Sequence, residues 1–141
     1  QSASTDASVS FRVLGVVGKG VFATVLKCSV ISNSTSIEMP PMVAIKSIRH
    51  NEVMSKAAET EIRTLLLLKG SSGIVPLLLP TTPTPLEHRG HTMLVFSFME
   101  YNLRDVLQKF GKGVGLSLQD VRSYFAQLLS AATHLKKHGI I

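Results

Sequence analysis

The chain has 141 residues, 45% of them hydrophobic, and its 15 basic and 9 acidic side chains give a net charge of +6. This length suits one ordinary domain with a buried core, and no apolar run is long enough to predict a membrane span. The basic residues are scattered rather than clustered, which predicts a solvated surface and no direct nucleic-acid partner. The single Cys28 excludes an intramolecular disulfide and is typical of a reducing intracellular setting.

The first part of the chain predicts a lead-in followed by three strands. Residues 1–10 are polar at their start and are expected to be a flexible lead-in. Two strands within residues 8–30 flank a glycine-containing turn at residues 18–23. Residues 31–41 are rich in Ser, Asn and Pro, which predicts a loop, and the alternation in residues 42–49 predicts the third strand.

The middle of the chain predicts one helix and two further strands. Apolar side chains at helical spacing predict a helix over residues 51–69, with Gly70 as its C-terminal stop. Residues 74–79 and 92–99 predict a fourth strand and a central strand. Residues 80–91 contain three prolines and are expected to form no regular structure. The apolar positions of the helix are Met54, Ala58, Ile62, Leu65 and Leu68.

The last part of the chain predicts two helices. Residues 102–110 predict a short helix closed by Gly111. Residues 117–138 predict the longest helix, with Ser117 as its N-cap and Asp120 three residues later. Strands followed only by helices predict an α+β lobe and the beginning of a helical one.

Lys46 ends an apolar run, where a cation is costly unless an anion meets it. Two anions are candidates, a carboxylate and a nucleotide phosphate held at the glycine turn. Glu61 lies on the apolar face of the predicted helix and would be equally costly without a partner. We expect Lys46 and Glu61 to pair. The alternatives are that Glu61 reaches solvent, or that Glu59, about 200° away around the helix axis, is the partner.

Two backbone features suit a nucleotide. Gly18 and Gly20 leave room for backbone N–H groups to approach a phosphate, and Val25 would cover a purine. The strand over residues 92–99 runs into a connector whose free N–H and C=O groups suit a flat heterocycle. Taken alone, the two glycines more often indicate an ordinary hairpin, and the strand over residues 92–99 an ordinary core strand.

Together these motifs resemble the amino-terminal lobe of a eukaryotic protein kinase. The run GKGVFATV from Gly18 is similar to the glycine-rich loop, and VAIK ending at Lys46 to the strand with the phosphate-binding lysine. Glu61 is similar to the partner of that lysine on the C helix, and LVF ending at Phe96 to the strand entering the hinge. This resemblance implies an α+β fold with a five-stranded antiparallel sheet and the C helix.

The resemblance also implies a domain division and a ligand. Residues 11–99 would form the amino-terminal lobe and hinge, and residues 100–141 the start of a truncated helical lobe. ATP would be the ligand, with Mg²⁺ in the intact kinase. Lys46 would hold the α- and β-phosphates. The implied nucleotide-binding residues are Gly18, Lys19, Gly20, Val25, Ala44, Lys46, Glu61, the gatekeeper Phe96, the carbonyl of Ser97 and the amide of Met99.

Further segments narrow the resemblance to the splicing-associated pre-mRNA-processing-factor-four kinases. These kinases belong to the branch that holds the cyclin-dependent and dual-specificity tyrosine-regulated kinases. The similar segments begin at Ile48, Asn102 and Lys109. They imply transfer of the ATP γ-phosphoryl group to Ser or Thr hydroxyls, with splicing proteins as substrates and a nuclear location.

This sequence also departs from the kinase pattern. Ala23 replaces the third glycine of the loop, and Ser97 stands where many relatives have Glu. The H-x-D and D-F-G segments, which supply the general base and the metal ligands, are absent and are expected beyond Ile141. We therefore predict no catalytic residue and no metal site in this chain, which alone would be inactive.

Two other functions remain open at this point. The chain could be a kinase-derived pseudoenzyme or binding module that docks a partner, or the missing lobe, through its exposed helices. It could also be an unrelated α+β interaction domain with chance motifs. His134 and His138 are four residues apart, but no third ligand accompanies them, so helix-end histidines are the expectation. Cys28 has no neighbouring base and is expected to be a small buried side chain.

Overall fold

The structure is a computed structural model that describes residues 8–49 and 51–141. The chain divides into two compact units. The first unit comprises the chain up to Leu66 together with Pro76–Phe98, and the second comprises Leu67–Val75 together with Met99–Ile141. The expected division of residues 11–99 from residues 100–141 stays a prediction, and these units differ from it because Leu67–Val75 belong to the second. Residues 1–7 of the expected lead-in lie outside the described residues.

The first unit contains one antiparallel sheet of six strands. The strands are β1 Val9–Lys19, β2 Ala23–Asn33, β3 Met42–Arg49, β4 Leu77–Leu79, β5 Leu86–His88 and β6 His91–Ser97. Their spatial order is β1-β2-β3-β6-β4, and the short β5 pairs with β6 outside this path. The middle strands β3 and β6 are mostly apolar, and each contributes buried residues to two separate core clusters.

The observed strands differ from the sequence prediction at several points. The prediction of five strands was one short, because β5 lies inside residues 80–91, where regular structure was not expected. β5 is only three residues long, and it forms a hairpin with β6 around Arg89 and Gly90, both of which have positive φ. β2 continues to Asn33, into the predicted loop, because it keeps pairing with the start of β1. β1 itself begins at Val9, within the predicted lead-in.

Helix α1, Glu52–Leu67, packs on one face of this sheet. Its buried residues Ala58 and Ile62 form a core cluster with Ile48 of β3 and Leu94 of β6. We call this side of the sheet the helix face. Alternation along each strand sends the intervening side chains to the opposite side, the outer face. Buried there are Cys28, Val43, Ile45 and Val95.

The second unit contains the helices α2, Leu103–Phe110, and α3, Leu118–Lys137. Asn102 caps α2 in a reciprocal capping box with Asp105, and Gly111 is its C-cap. The predicted N-cap of α3 is confirmed, since the Ser117 side chain accepts from the Asp120 amide. The 20 residues of α3 make it the longest helix of the described chain, as predicted.

Candidate functional site

Lys46 and Glu61 form an ion pair on the helix face. The Lys46 Nζ atom lies 2.6 Å from Glu61 Oε1 and 2.7 Å from Oε2, so it donates to both carboxylate oxygens. The two side chains are 30% and 36% exposed, which leaves the pair reachable from solvent. The predicted pairing is confirmed. The rival Glu59 lies on the exposed side of α1.

The pair forms because strand register and helix rotation agree. Lys46 follows Ile45 in β3, and alternation turns Ile45 to the outer face and Lys46 to the helix face. Glu61 precedes Ile62, whose burial against the sheet fixes the rotation of α1. The carboxylate therefore borders the core instead of pointing away from it. Its position is a consequence of core packing.

An apolar patch lies beside Lys46 on the same face. Val25 of β2 is directly opposite Lys46, and Ala44, two residues before Lys46, is directly opposite Phe96 of β6. Residues opposite each other in antiparallel strands share a face. The sheet thus brings together Val25, Ala44, Lys46 and Phe96, four of the predicted site residues, and Glu61 joins them from α1. This arrangement combines a cation with an apolar surface on adjacent strands.

The glycine turn is tighter than predicted. Gly18 and Lys19 belong to β1, opposite Val25 and Thr24, and the turn begins at Gly20, whose amide donates to the Ala23 carbonyl at 2.9 Å. The prediction of a turn over residues 18–23 was therefore too long at both ends, since Ala23 is the first residue of β2. A β-carbon at Gly18 would stand 3.7 Å from the Val25 β-carbon. The absence of a side chain at Gly18 keeps the surface of Val25 open.

The remaining two predicted residues lie at the end of β6 and on the connector that follows it. Ser97 is the last residue of β6, opposite Val43, and Met99 is the first residue of this segment in the second unit. Between them, the ring of Phe98 is capped by the Lys27 ammonium group 4.5 Å from its centroid. This cation–π contact holds the start of the connector against β2.

Sequence reasoning missed Lys27 and Leu94. Lys27 is opposite Ala44 in the β2–β3 ladder, and Leu94 is opposite Lys46 in the β3–β6 ladder. Both therefore share the helix face with the patch, and Leu94 is fully buried beneath it. The available signal was the two-residue period: Lys27 follows Val25 by two positions, and Leu94 precedes Phe96 by two.

The other His and Cys side chains of the described residues lie apart from the Lys46–Glu61 pair. Among residues 8–49 and 51–141, no group of three or more His, Cys, Asp or Glu could hold a metal ion. The rings of His134 and His138 contact each other near the end of α3 with centroids 4.4 Å apart. Cys28 is buried on the outer face, as predicted, and burial raises the pKa of its thiol. Within the described chain, no helix has the length and apolar character of a membrane span.

Helix α3 of the second unit exposes large apolar side chains. Phe125, Leu128 and Leu129 are 60%, 58% and 53% exposed. The same helix buries Ala131, which Gly73 approaches within this unit. The apolar helical face that the sequence indicated is therefore solvent-accessible in the described residues.

Curated proteins similar to this chain are protein kinases. The chain is 34% identical over 125 residues to the serine/threonine-protein kinase prp4 of Schizosaccharomyces pombe. This match covers 89% of this chain and 25% of that protein. It is 32% identical over 133 residues to cyclin-dependent kinase-like 5 of Mus musculus, covering 93% of this chain and 13% of that protein. It is 28% identical over 141 residues to the serine/threonine-protein kinase prpf4B of Dictyostelium discoideum. This match covers 93% of this chain and 16% of that protein.

No protein-family model matches the chain. The chain spans a quarter or less of the length of these three relatives, and they match most of its own length. The antiparallel sheet with α1 packed on one face agrees with this relationship. Most of the chain is therefore similar to protein serine/threonine kinases, and its α+β architecture is consistent with the amino-terminal lobe of a kinase domain.

Proposed function

We propose that this chain is the ATP-binding part of a protein serine/threonine kinase that transfers the γ-phosphoryl group of ATP to protein hydroxyls. The observation that carries the proposal is the Lys46–Glu61 ion pair, with N–O distances of 2.6 and 2.7 Å, beside the apolar patch. The kinase relatives support the same activity for the intact enzyme.

Lys46 has the donor capacity that this role needs. An ammonium group offers three N–H donors, and the two contacts to Glu61 use two of them. The third is available for a phosphate oxygen, while the carboxylate fixes the direction of the side chain. Glu61 would act as a positioning residue, and Lys46 would hold the α- and β-phosphates.

The apolar patch fits the purine of ATP. Val25 and Ala44 offer adjacent apolar side chains, and Phe96 closes the patch at β6. Gly18, Lys19 and Gly20 would cover the phosphates, and the Ser97 carbonyl and Met99 amide would hydrogen-bond adenine. Mg²⁺, when bound in the intact kinase, neutralises phosphate charge. The residues of this chain hold and orient the nucleotide.

We expect this chain by itself to bind nucleotide weakly and to transfer no phosphoryl group. The sequence contains neither H-x-D nor D-F-G, the segments that supply the general base and metal ligands in protein kinases. Without metal ligands, Mg²⁺ should add little to nucleotide affinity. The test is a titration of the protein with ATP, with and without magnesium, followed by NMR and thermal shift.

Matched lysine variants make this test specific. Lys46→Ala should weaken ATP binding by about tenfold or more because it removes the phosphate-binding cation. Lys56→Ala is the control, since Lys56 also pairs with a glutamate but lies exposed on α1, 3.1 Å from Glu52. Lys46→Ala should also abolish turnover in a longer form of the protein that contains the catalytic segments. Equal ATP affinities for both variants, or strong binding that requires magnesium, would contradict the proposal.

The resemblance to splicing-associated kinases extends the proposal to substrates and location. We infer that the intact kinase phosphorylates Ser or Thr residues of splicing proteins and acts in the nucleus. The similarity to prp4 and prpf4B supports this inference. Phosphorylation of purified splicing proteins by the longer form, compared with its Lys46→Ala variant, tests the substrate class. The absence of Lys46-dependent phosphate incorporation would reject it.

The exposed face of α3 supports a second candidate function. Phe125, Leu128 and Leu129 are each more than half exposed, and such a patch favours association. In this alternative the chain is a kinase-derived binding module that docks a partner through α3. The double variant Phe125→Glu/Leu128→Glu should then reduce association in sedimentation experiments without changing ATP affinity. Unchanged association would reject the binding module.

A further inference from the structure

The outer face of the sheet contains a cavity of about 840 Å³. Its floor is formed by Leu26 of β2, Ile45 of β3, and Met93 and Val95 of β6. Ile45 and Val95 are buried, so the floor belongs to the core. Because these positions alternate with those of the apolar patch, this outer cavity is on the other side of the sheet from Lys46.

Two segments far apart in the sequence form the walls of the outer cavity. One wall is the first half of β1, which contributes Val9, Phe11 and Val13. The other is the segment from Leu79 to His88, which contains the rim hydroxyls of Thr81, Thr82 and Thr84. Ser8, Ser10 and Thr35 also line the cavity, so it has an apolar interior and hydroxyl groups beside both walls.

The lining has little formal charge. The chain contains 15 Lys and Arg residues, yet among the described residues that line the cavity the ionisable side chains are Glu87 and His88 alone. An anionic ligand would meet no lysine or arginine there, and burying its charge would be costly. A neutral ligand matches both the apolar floor and the hydroxyl groups.

We propose that the outer cavity is a second ligand site, for a neutral and mainly apolar small molecule with an aromatic or aliphatic body. Its volume lies within the range of about 300–1,000 Å³ that is typical of small-molecule sites, which combine apolar walls with a few polar groups. The rim threonines would hydrogen-bond a hydroxyl or carbonyl group of the ligand. This site does not depend on nucleotide binding at Lys46.

Two dyes with the same skeleton test the charge requirement. N-phenyl-1-naphthylamine is neutral, whereas 8-anilinonaphthalene-1-sulfonate carries a sulfonate on the same skeleton, and both brighten in apolar surroundings. We expect the neutral dye to bind the protein about tenfold more tightly than the sulfonate. ATP should leave binding of the neutral dye unchanged.

Methyl NMR locates the bound dye. The neutral dye should shift the methyl signals of Ile45 and Met93 in a saturable manner, because both residues line the outer cavity. Ile62 and Met54, which pack on the helix face, provide the internal control and should not shift. This readout also separates the cavity from the exposed face of α3.

A rim variant provides an independent test. Thr84→Trp adds an indole at the rim, between Pro83 and Pro85, and should weaken binding of the neutral dye by about tenfold. Thr60→Trp places the same residue on the exposed side of α1 and should not alter binding. Both positions are exposed, so neither change disturbs the core.

Several results would overturn the proposal. They are equal binding of the two dyes at the cavity, displacement of the neutral dye by ATP, methyl shifts centred on Ile62 and Met54, and equal effects of the two tryptophan variants. Loss of dye binding as protein concentration rises, with dimers in sedimentation, would assign the outer face to a second copy of the chain and would also reject the proposal.

Discussion

Gly18 lies directly opposite Val25 in the β1–β2 ladder, and a β-carbon at Gly18 would stand 3.7 Å from the Val25 β-carbon. That distance is an ordinary van der Waals contact, so a β-carbon fits there without a clash. It would, however, cover Val25 on the side where we propose that adenine binds. Because Gly18 has no side chain, the Val25 surface of the apolar patch stays accessible.

Gly18→Val should therefore weaken ATP binding by about tenfold while the sheet stays folded, since valine suits strands. Gly15→Val is the matched control, because a β-carbon at Gly15 of β1 meets no heavy atom within 4 Å. NMR titration with ATP gives both affinities, and circular dichroism checks the fold. Unchanged ATP affinity in Gly18→Val would mean that adenine does not use Val25.

Ile62 holds α1 on the sheet and thereby fixes the direction of Glu61. The side chain is fully buried in the cluster with Ile48 and Leu94. Ile62→Ala should lower the free energy of unfolding by about 2–5 kcal/mol, the usual range for such a cavity-forming change. Urea denaturation measures this loss.

Val53→Ala is the control on the same helix, because Val53 is 69% exposed. It should change the free energy of unfolding by no more than about 0.5 kcal/mol. Similar losses for the two alanine variants would show that α1 does not pack through Ile62.

Gly73 approaches α3 inside the second unit. It has a φ of +86°, and a β-carbon there would stand 3.1 Å from the Ala131 β-carbon and 3.2 Å from the Gln127 carbonyl oxygen. Gly70 has a similar φ of +83° but open space around it. Both alanine substitutions incur the left-handed backbone cost of about 1–2 kcal/mol, and Gly73→Ala incurs a steric clash in addition. Thermal unfolding should rank Gly73→Ala as clearly less stable than Gly70→Ala, and the reverse order would refute this packing.

Cys28 provides a probe of the outer face. Its side chain is fully buried, and burial raises the pKa of the thiol above its ordinary value of 9.0. Because the thiolate is the reactive form, labelling by a disulfide reagent at pH 8 should be slow until the protein unfolds. Rapid labelling of the folded protein would contradict the burial.

The raised pKa of Cys28 also predicts a pH dependence of stability. Above pH 9.0 the unfolded chain releases the thiol proton while the folded chain keeps it. The free energy of unfolding should therefore fall as the pH rises through this region. Cys28→Ala lacks this component, so the difference between the two stability curves isolates it. If the free energies of unfolding of the wild type and Cys28→Ala differ by a constant amount above pH 9.0, the pKa of the Cys28 thiol is not raised in the folded protein.

Local patterns were sufficient to predict the Lys46–Glu61 ion pair. The alternation of β3 and the spacing of α1 each placed one charge at a core boundary, and a cation and an anion so placed need each other. Local patterns also predicted the bounds of β3 and the role of Ser117 as the N-cap of α3 correctly. Lys27 was missed because a lysine in a strand ordinarily indicates a solvated position.

Long-range features escaped the sequence analysis for a physical reason. β5 is a three-residue strand preceded by prolines, and it is defined by its pairing with β6 rather than by its own propensity. The extension of β2 to Asn33 likewise depends on its partner β1. The outer cavity arises where β1 meets the segment from Leu79 to His88. Such contacts between distant segments leave no periodic signal in either segment.

A double-mutant cycle on ATP affinity tests most directly whether Lys46 and Glu61 work as a unit. The four proteins are the wild type, Lys46→Ala, Glu61→Ala and the double variant, each titrated with ATP by NMR. We predict that Glu61→Ala weakens binding in the wild type but has no further effect once Lys46 is removed, a coupling of about 1 kcal/mol or more. Independent, additive losses would contradict the account that Glu61 acts by orienting Lys46 toward the phosphates.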